Sequence, residues 1–361
     1  MLFLAQFRPS SLSSTTLALP KPSVLEPDGS CPSQFRVSCA RSEDDYHATL
    51  KALNSRGRTP RKSLGQHYML DSSINEQLVG VAEVREGDVV LEIGPGTGSL
   101  TNVLLSAGAS VVAIEKWVQW RVSKISMKIL QQLLLQVSFH LPLLKDPHMA
   151  MHVKDRFNDI GRLLVLQEDV RKCHIRAHLN FVLETRKSIF NDSRNAKVVS
   201  NLPFNISTDV VKQLLPMGDI FSDVVLLLQD EAASRLVDAP LGTPEYRPIN
   251  IFVNFYSVPQ YKFKVPRANF FPQPNVDGAV VKFKLKQSMD YPPVASPKSF
   301  FSMVNSAFNG KRKMLRKSLQ HICTPHEIES ALQNLGLPIT SRPAELTLDD
   351  FVRLHNSIPQ V

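Results

Sequence analysis

Cysteine is scarce in this chain: four in 361 residues, at positions 31, 39, 173 and 323. None forms a CxxC pair. Neither a disulfide framework nor a metal site is therefore expected, and a reducing compartment fits. Long apolar runs are also missing, since no uninterrupted stretch reaches the ~18 residues a membrane-spanning helix needs. No internal repeat is visible. Acids are outnumbered, 33 Asp+Glu against 42 Lys+Arg, for a net charge of +9. That balance favours a polyanionic partner, nucleic acid before anionic membrane, with a basic enzyme lacking such a partner as the plain alternative.

Acids are rarest at the start. The stretch before Glu43 is rich in Ser, Thr and Pro, and it lacks the compact apolar block and small-residue cleavage site of a secretory signal. Residues 1–45 are expected to be an organelle transit peptide or disordered leader, with VSCA, ending at Ala40, as the cleavage region.

From Lys62 the pattern becomes regular. Short apolar runs at 88–93, 110–115, 163–169, 197–201 and 221–229 read as strands, and 261–265 and 279–285 as a later pair suited to an antiparallel edge. Helix-like stretches follow several of them: SLTNVLLSAG, DPHMAMHVKDRF, STDVVKQLL and DEAASRLV. Strands alternating with helices predict a doubly wound, mainly parallel α/β sheet over 58–287. A Pro/Ser linker, QSMDYPPVASPKS, then leads into FFSMVNSAF, KMLRKSLQHI, PHEIESALQNLG and LDDFVRLHNSI. With no strand among them, 288–361 reads as a small all-helical domain.

Gly94, Gly96 and Gly98 follow the first of these strands and precede a helix. Glycines there let the backbone turn tightly against a ligand, while the helix N-terminus offers free N–H groups. The spacing is GxGxG rather than the GxGxxG of dinucleotide binders. An acid, Glu92, precedes the first glycine, which is more typical of methyltransferases than of dehydrogenases. Glu115 ends the second strand, where a carboxylate can accept both hydroxyls of a cofactor ribose. Asp169 ends the third, placed to accept from an adenine amino group. NLPFNIS, Asn201 to Ser207, ends the fourth. An adenine amino nitrogen is a poor nucleophile because its lone pair is delocalised into the ring. The Asn201 side-chain oxygen and the Leu202 carbonyl can accept its hydrogens and hold it in line for transfer. Pro203 stiffens the turn, and Phe204 offers a face to a base drawn out of its stack.

These segments together resemble the KsgA-type ribosomal RNA adenine dimethyltransferases, closely the plastid members, over about Lys62 to Ile358 apart from one stretch. KSLGQHYMLD resembles the family's N-terminal cofactor motif, which implies that Gln66, His67 and Met69 lie over bound S-adenosylmethionine. LEIGPGTGSLT, AIE and LQED resemble its glycine loop, ribose-binding acid and adenine-side acid, and NLPFNIS its catalytic motif. FFPQPNVDGAVV resembles the loop near the target base and implies Phe271 beside it. The resemblance implies dimethylation of two adjacent adenosines in the 3′-terminal hairpin of small-subunit rRNA, with four methyl groups used. It also implies binding to a pre-ribosomal particle, in the plastid stroma or, alternatively, the mitochondrion; nothing in the sequence marks an oligomer, and a monomer is the default expectation. Lys311, Arg312, Lys313, Arg316 and Lys317 crowd one short stretch, expected to be a helix with a phosphate-contacting face. Phe204 stands where Tyr is more usual in the family, and His67 where many bacterial members have Asn.

One segment departs from the family. Residues 117–145 separate Lys116 from Asp146, contain both tryptophans and no acid, and can be removed to restore the pattern without a seam. The segment reads as an in-frame retained intron or an error of the gene prediction, with a lineage insertion as the other reading. ISMKILQQLLLQV within it could form an amphipathic helix. The competing functions are a DNA adenine methyltransferase, a nicotinamide dehydrogenase, and a non-catalytic assembly or organelle transcription factor. NLPF, rather than a polar-Pro-Pro-aromatic motif, disfavours the first, and glycine spacing disfavours the second. The complete set of cofactor residues disfavours the third. Deletion of 117–145 is expected to leave S-adenosylmethionine affinity intact or raise it in a binding titration; a large loss would contradict this.

Overall fold

A computed structural model describes residues 67–115, 153, 157, 161–190, 194–310 and 313–358. The leader expected over 1–45, the stretch 117–145, Gln66, Lys311 and Arg312 lie outside the described residues.

Seven strands form the main sheet: β2 (Val89–Ile93), β3 (Ser110–Glu115), β4 (Leu163–Gln167), β5 (Ala196–Asn201), β6 (Phe221–Gln229), β7 (Ser257–Val265) and β9 (Gly278–Leu285). They lie in the order β4-β3-β2-β5-β6-β9-β7. The first five are mutually parallel, while β9 runs antiparallel between β6 and β7. The expected antiparallel pair is therefore present, with β7 alone at the edge. Two further strands of two residues each, β1 (Tyr68–Met69) and β8 (Phe270–Phe271), pair antiparallel outside this sheet.

Alternation along each strand explains why both faces are covered. Val89, Leu91 and Ile93 of β2 point into one core and Val90 into the other, and β3 divides the same way between Val112, Ile114 and Val111, Ala113. A parallel strand buried on both faces is apolar at every position rather than at every second one. Helices α1 (Ser72–Val81) and α2 (Ser99–Ser106) cover the second face through Ile74, Leu78, Leu100 and Leu104. The first face receives α3 (Ile175–Phe190), α4 (Ser207–Leu214), α5 (Asp230–Val237) and α6 (Pro248–Tyr256). The chain then continues as α7 (Pro297–Phe308), α8 (Leu315–Ser318), α9 (Pro325–Asn334) and α10 (Leu348–Ser357). Phe255 of α6 joins this last group to the rest, lying 5.4 Å from the Phe300 ring and 5.1 Å from Phe301. The doubly wound α/β sheet and the helical C-terminal segment expected from sequence are both present.

Some boundaries differ. The strand expected over 163–169 stops at Gln167, because the Asp169 carbonyl accepts from the N–H groups of Lys172 and Cys173 (2.8 and 2.9 Å) and turns the chain. The helix expected over 313–322 is only the four residues of α8. There the Ser318 hydroxyl bonds the Met314 and Leu315 carbonyls, the local competition that shortens helices at serine. Helices α1, α3 and α6 were not expected. No helix among the described residues is long and apolar enough to cross a membrane.

Candidate cofactor and base site

In an open α/β sheet, ligands bind beyond the carboxyl ends of the strands where the strand order reverses. Here the reversal falls between β2 and β5. Their backbone ladder contains only Val90↔Lys197 and Leu91↔Val198. Beyond it the ends are linked instead by the Ser200 hydroxyl, which donates to the Ile93 carbonyl at 2.5 Å. The glycine loop leaves β2 at this point and Asn201-Leu202-Pro203-Phe204 leaves β5. An ideal Cβ on Gly94 would lie 3.8 Å from Pro203 Cδ, so the two motifs are neighbours across the gap.

One pocket occupies this crevice. His67, Met69, Gly94, Gly96, Glu115, Asp169, Asn201, Leu202 and Pro203 all line it, each expected at the site from sequence. Phe204 and Phe271 do not line it. Phe204 stands beside it, 5.5 Å from the His67 ring and edge-on to buried Phe270 at 6.4 Å. Phe271 is held through its backbone, paired with Tyr68. Lys313 and Lys317 are exposed in the helical segment, whereas half-buried Arg316 donates to Glu329 at 2.6 Å.

Each wall has a local cause. Gly96 takes φ +55°, and a Cβ there would come within 3.1 Å of the Tyr68 ring. Any side chain would therefore push the loop off the β1 segment that covers it. The Gly94 N–H donates to the Ile114 carbonyl at 2.8 Å, which ties the loop to the end of β3. Glu115 follows Ile114, and its carboxylate accepts from the Gly96 N–H at 3.4 Å. The Glu168 N–H donates to the Glu115 carbonyl at 3.1 Å, bringing the turn after β4 alongside. There Asp169 accepts from the Arg171 backbone N–H at 3.1 Å and from its guanidinium at 2.8 Å. The β1 cover is itself held by the loop around Phe271: His67 Nδ1 donates to the Pro272 carbonyl at 2.7 Å, and the Leu70 N–H to the Asn269 carbonyl at 2.9 Å.

Several contributors were not singled out from sequence: Tyr68, Asn75, Thr101, Glu168 and Ser200. Asn75 is a buried polar residue on α1 that lines the pocket. Its only signal is a polar side chain at an inward helical position. Thr101 and Ser200 carry no local signal, since their partners are nine and 107 residues away.

The charge of the wall selects a ligand class. Among the described lining residues are Glu115, Glu168 and Asp169, and neither lysine nor arginine. Such a wall suits a ligand carrying positive charge, and a sulfonium cofactor fits it better than the anionic pyrophosphate of a dinucleotide. Glu92 lines the pocket as well but is only 1% exposed, and it accepts from the Thr101 hydroxyl at 2.7 Å. Burial, aided by the Glu115 charge, pushes its carboxyl up to about 8 despite that bond. Glu92 is therefore mostly protonated at neutral pH and adds little to the negative field.

Comparison with known proteins agrees with this geometry. The family model described as ribosomal RNA adenine dimethylase matches residues 57–120 and 125–360. The chain is 64% identical to the chloroplastic ribosomal RNA small subunit methyltransferase of Arabidopsis thaliana, over 90% of this chain and 86% of that one. Ribosomal RNA small subunit methyltransferase A of Protochlamydia amoebophila is 33% identical over 85% of this chain and 94% of its own. Among solved structures, a dimethyladenosine transferase from Plasmodium falciparum superposes with a TM-score of 0.53, covering 78% of this chain and 94% of that one at 22% identity. That last likeness speaks to the fold.

The state of Glu92 makes a prediction. Between its unfolded value near 4.5 and its folded value of about 8, the folded chain holds the extra proton, so stability falls as pH rises through that window. Glu92→Gln mimics the neutral acid and removes the loss. Urea unfolding should show the variant gaining on the native chain by at least ~2 kcal/mol between about pH 5 and about pH 8.5. Parallel pH profiles would show that Glu92 is already ionised.

Proposed function

The chain belongs to the ribosomal RNA adenine dimethylase family, and from that premise we propose that it methylates adenine N6 in small-subunit ribosomal RNA with S-adenosylmethionine. The observation that carries the reading is the meeting of the glycine loop and Asn201-Leu202-Pro203 across a single crevice. Bound there, S-adenosylmethionine would be held by Met69, Gly94, Gly96, Glu115 and Asp169 and would supply a methyl group made electrophilic by its sulfonium.

The chain's own part is mainly alignment. In the first transfer the Asn201 side-chain oxygen and the Leu202 carbonyl accept the two amino hydrogens of the adenine, which turns the nitrogen lone pair toward the methyl group. As the N–C bond forms one of these hydrogens leaves to solvent as a proton, and the second transfer proceeds with the single hydrogen that remains. Alignment of this kind removes much of the barrier, and a misplacement of about 1 Å costs roughly 100-fold in rate. The base must leave its stack to enter, and the Phe204 face, steadied by His67 and Phe270, receives it. Replacing the family's more usual Tyr with Phe keeps that face. Phe271 guides the base, and exposed Lys313 and Lys317 contact phosphates from the helical segment after 287, which serves as the RNA-binding unit.

The finer target is two adjacent adenosines in the 3′-terminal hairpin, each taking two methyl groups. The substrate is a pre-ribosomal particle in the plastid stroma, engaged by a monomer. The plastid assignment is supported by the 64% identical chloroplastic relative and by a Ser/Thr/Pro-rich, acid-poor stretch at the start of the chain.

A single-turnover assay on unmethylated small subunits, at saturating cofactor, separates alignment from binding. Asn201→Ala should slow transfer by at least about 100-fold. Phe204→Tyr should stay near the native rate, whereas Phe204→Ala loses stacking worth about 1–3 kcal/mol in base docking. A native rate from Asn201→Ala would overturn the assigned role.

A further inference from the structure

Behind the acid wall, three side chains of different chemistry converge. The carboxylate of Glu168, the thiol of Cys173 and the imidazole of His178 place one donor atom each within 4.8 Å of the other two. The Glu168 oxygen and His178 Nε2 are 3.5 Å apart. We propose that Glu168, Cys173 and His178 bind one zinc-class divalent cation, which fastens the turn carrying Asp169 to the first turns of α3.

The donor set argues for this class. A thiolate with an imidazole and a carboxylate suits a borderline-soft ion such as zinc and disfavours magnesium or calcium, which take oxygen ligands. Around tetrahedral zinc, with bonds of about 2.0–2.3 Å, donor atoms stand roughly 3.3–3.8 Å apart. The Glu168–His178 pair already has that spacing, and the two sides that meet at the Cys173 sulfur, neither longer than 4.8 Å, close by at most about 1.3 Å. Glu168 is 42% exposed at its side chain and His178 18%, so both can rotate and the ion has a way in. Cys173 forms the buried floor, fixed by its N–H bonds to the Asp169 and Val170 carbonyls and by Gln213 Nε2 on its own carbonyl. Three protein ligands leave a fourth position for water, the arrangement of open zinc sites. No CxxC motif marks this site, because its ligands come from a strand end, a turn and a helix.

Binding is an exchange without redox change. The Cys173 S–H bond breaks, its proton passes to solvent, and the sulfur lone pair forms the S–Zn bond. The carboxylate and the neutral imidazole each donate a lone pair. Without the cation the thiol is protonated, pushed up to about 12 by burial and by Glu168 beside it. Ligation would draw the Glu168 carboxylate toward the Cys173 sulfur, since the donor atoms now lie up to 4.8 Å apart. Because Glu168 lines the cofactor pocket next to Asp169, occupancy reaches the adenine side of that pocket. This coupling builds on the proposed function, whereas the ion site itself does not.

The full chain, stripped with chelator, is titrated with zinc against a chromophoric chelator and with cobalt, following thiolate-to-cobalt charge-transfer absorbance. One saturable site is expected. Cys173→Ser, which keeps Cys31, Cys39 and Cys323, should lose the charge-transfer band, and Cys323→Ser should keep it. Losing an outer-shell partner alone costs about 10- to 100-fold in metal affinity. His178→Gln, at a half-buried position, should therefore weaken zinc by at least about 100-fold while retaining the native thermal melt. Absence of a saturable site, or native affinity in His178→Gln, overturns the proposal even if Cys173→Ser fails to fold. A severalfold tightening of S-adenosylmethionine by zinc, absent from His178→Gln, supports the coupling, and its absence from the native chain removes the coupling alone. No S-adenosylmethionine binding under any condition would count against the catalytic reading and leave the zinc result intact.

Discussion

Strands β2 and β5 share a ladder only as far as Leu91 and Val198, and past that point the Ser200 hydroxyl, bonded to Ile93, holds their ends in reach. This small divergence at the reversal of strand order makes the rest possible. Were the two ladders continuous, the glycine loop and the Asn-Leu-Pro-Phe turn would have no gap between them. Because the strands separate, one pocket can hold a cofactor against β2 and β3 and present a base to β5. The β1 cover, clamped by His67 and Leu70 onto the loop around Phe271, then closes the crevice from the side.

Electrostatics follows from the same placement. Parallel strands aim their carboxyl ends at one rim, and in this chain three of those ends or the turns after them bear acids: Glu92, Glu115, and the Glu168–Asp169 pair. Four carboxylates in so small a space would repel strongly in a poorly solvated setting. The conflict is relieved by division of labour. Glu92 is buried and stays neutral, Asp169 is partnered by Arg171, and Glu115 is partly satisfied by the Gly96 N–H. What remains is a modestly negative wall, matched to a cationic cofactor although the chain as a whole is basic. The same protein can thus attract RNA broadly while keeping its pocket for a positively charged small molecule.

Sequence makes the sheet legible because its central strands are buried on both faces and read as apolar runs, so β3 and β6 are expected over their observed residues. The motif residues are legible too, since each sits at a strand end where a ligand would be. What escapes has a physical reason in each case. Strands β1 and β8 are two residues long and pair with each other across about 200 positions, Tyr68 with Phe271 and Met69 with Phe270. Helix α3 is amphipathic but nearly as polar as apolar, so IRAHLNFVLETRKSIF offers no strong stripe. Ser200 and Thr101 look like ordinary strand and helix residues until their distant partners are known. The basic stretch around Arg316 has the charge of a phosphate-binding helix, yet Arg316 itself turns inward to Glu329.

The central claim is that this crevice presents adenine N6, and no other atom, to the methyl donor. The most direct measurement is mass spectrometry of nucleosides from small-subunit rRNA after incubation of unmethylated subunits with the chain and labelled S-adenosylmethionine. The account predicts label in N6,N6-dimethyladenosine, mapping to the 3′-terminal hairpin. Label confined to a ribose hydroxyl, to another ring position or to large-subunit rRNA would contradict it.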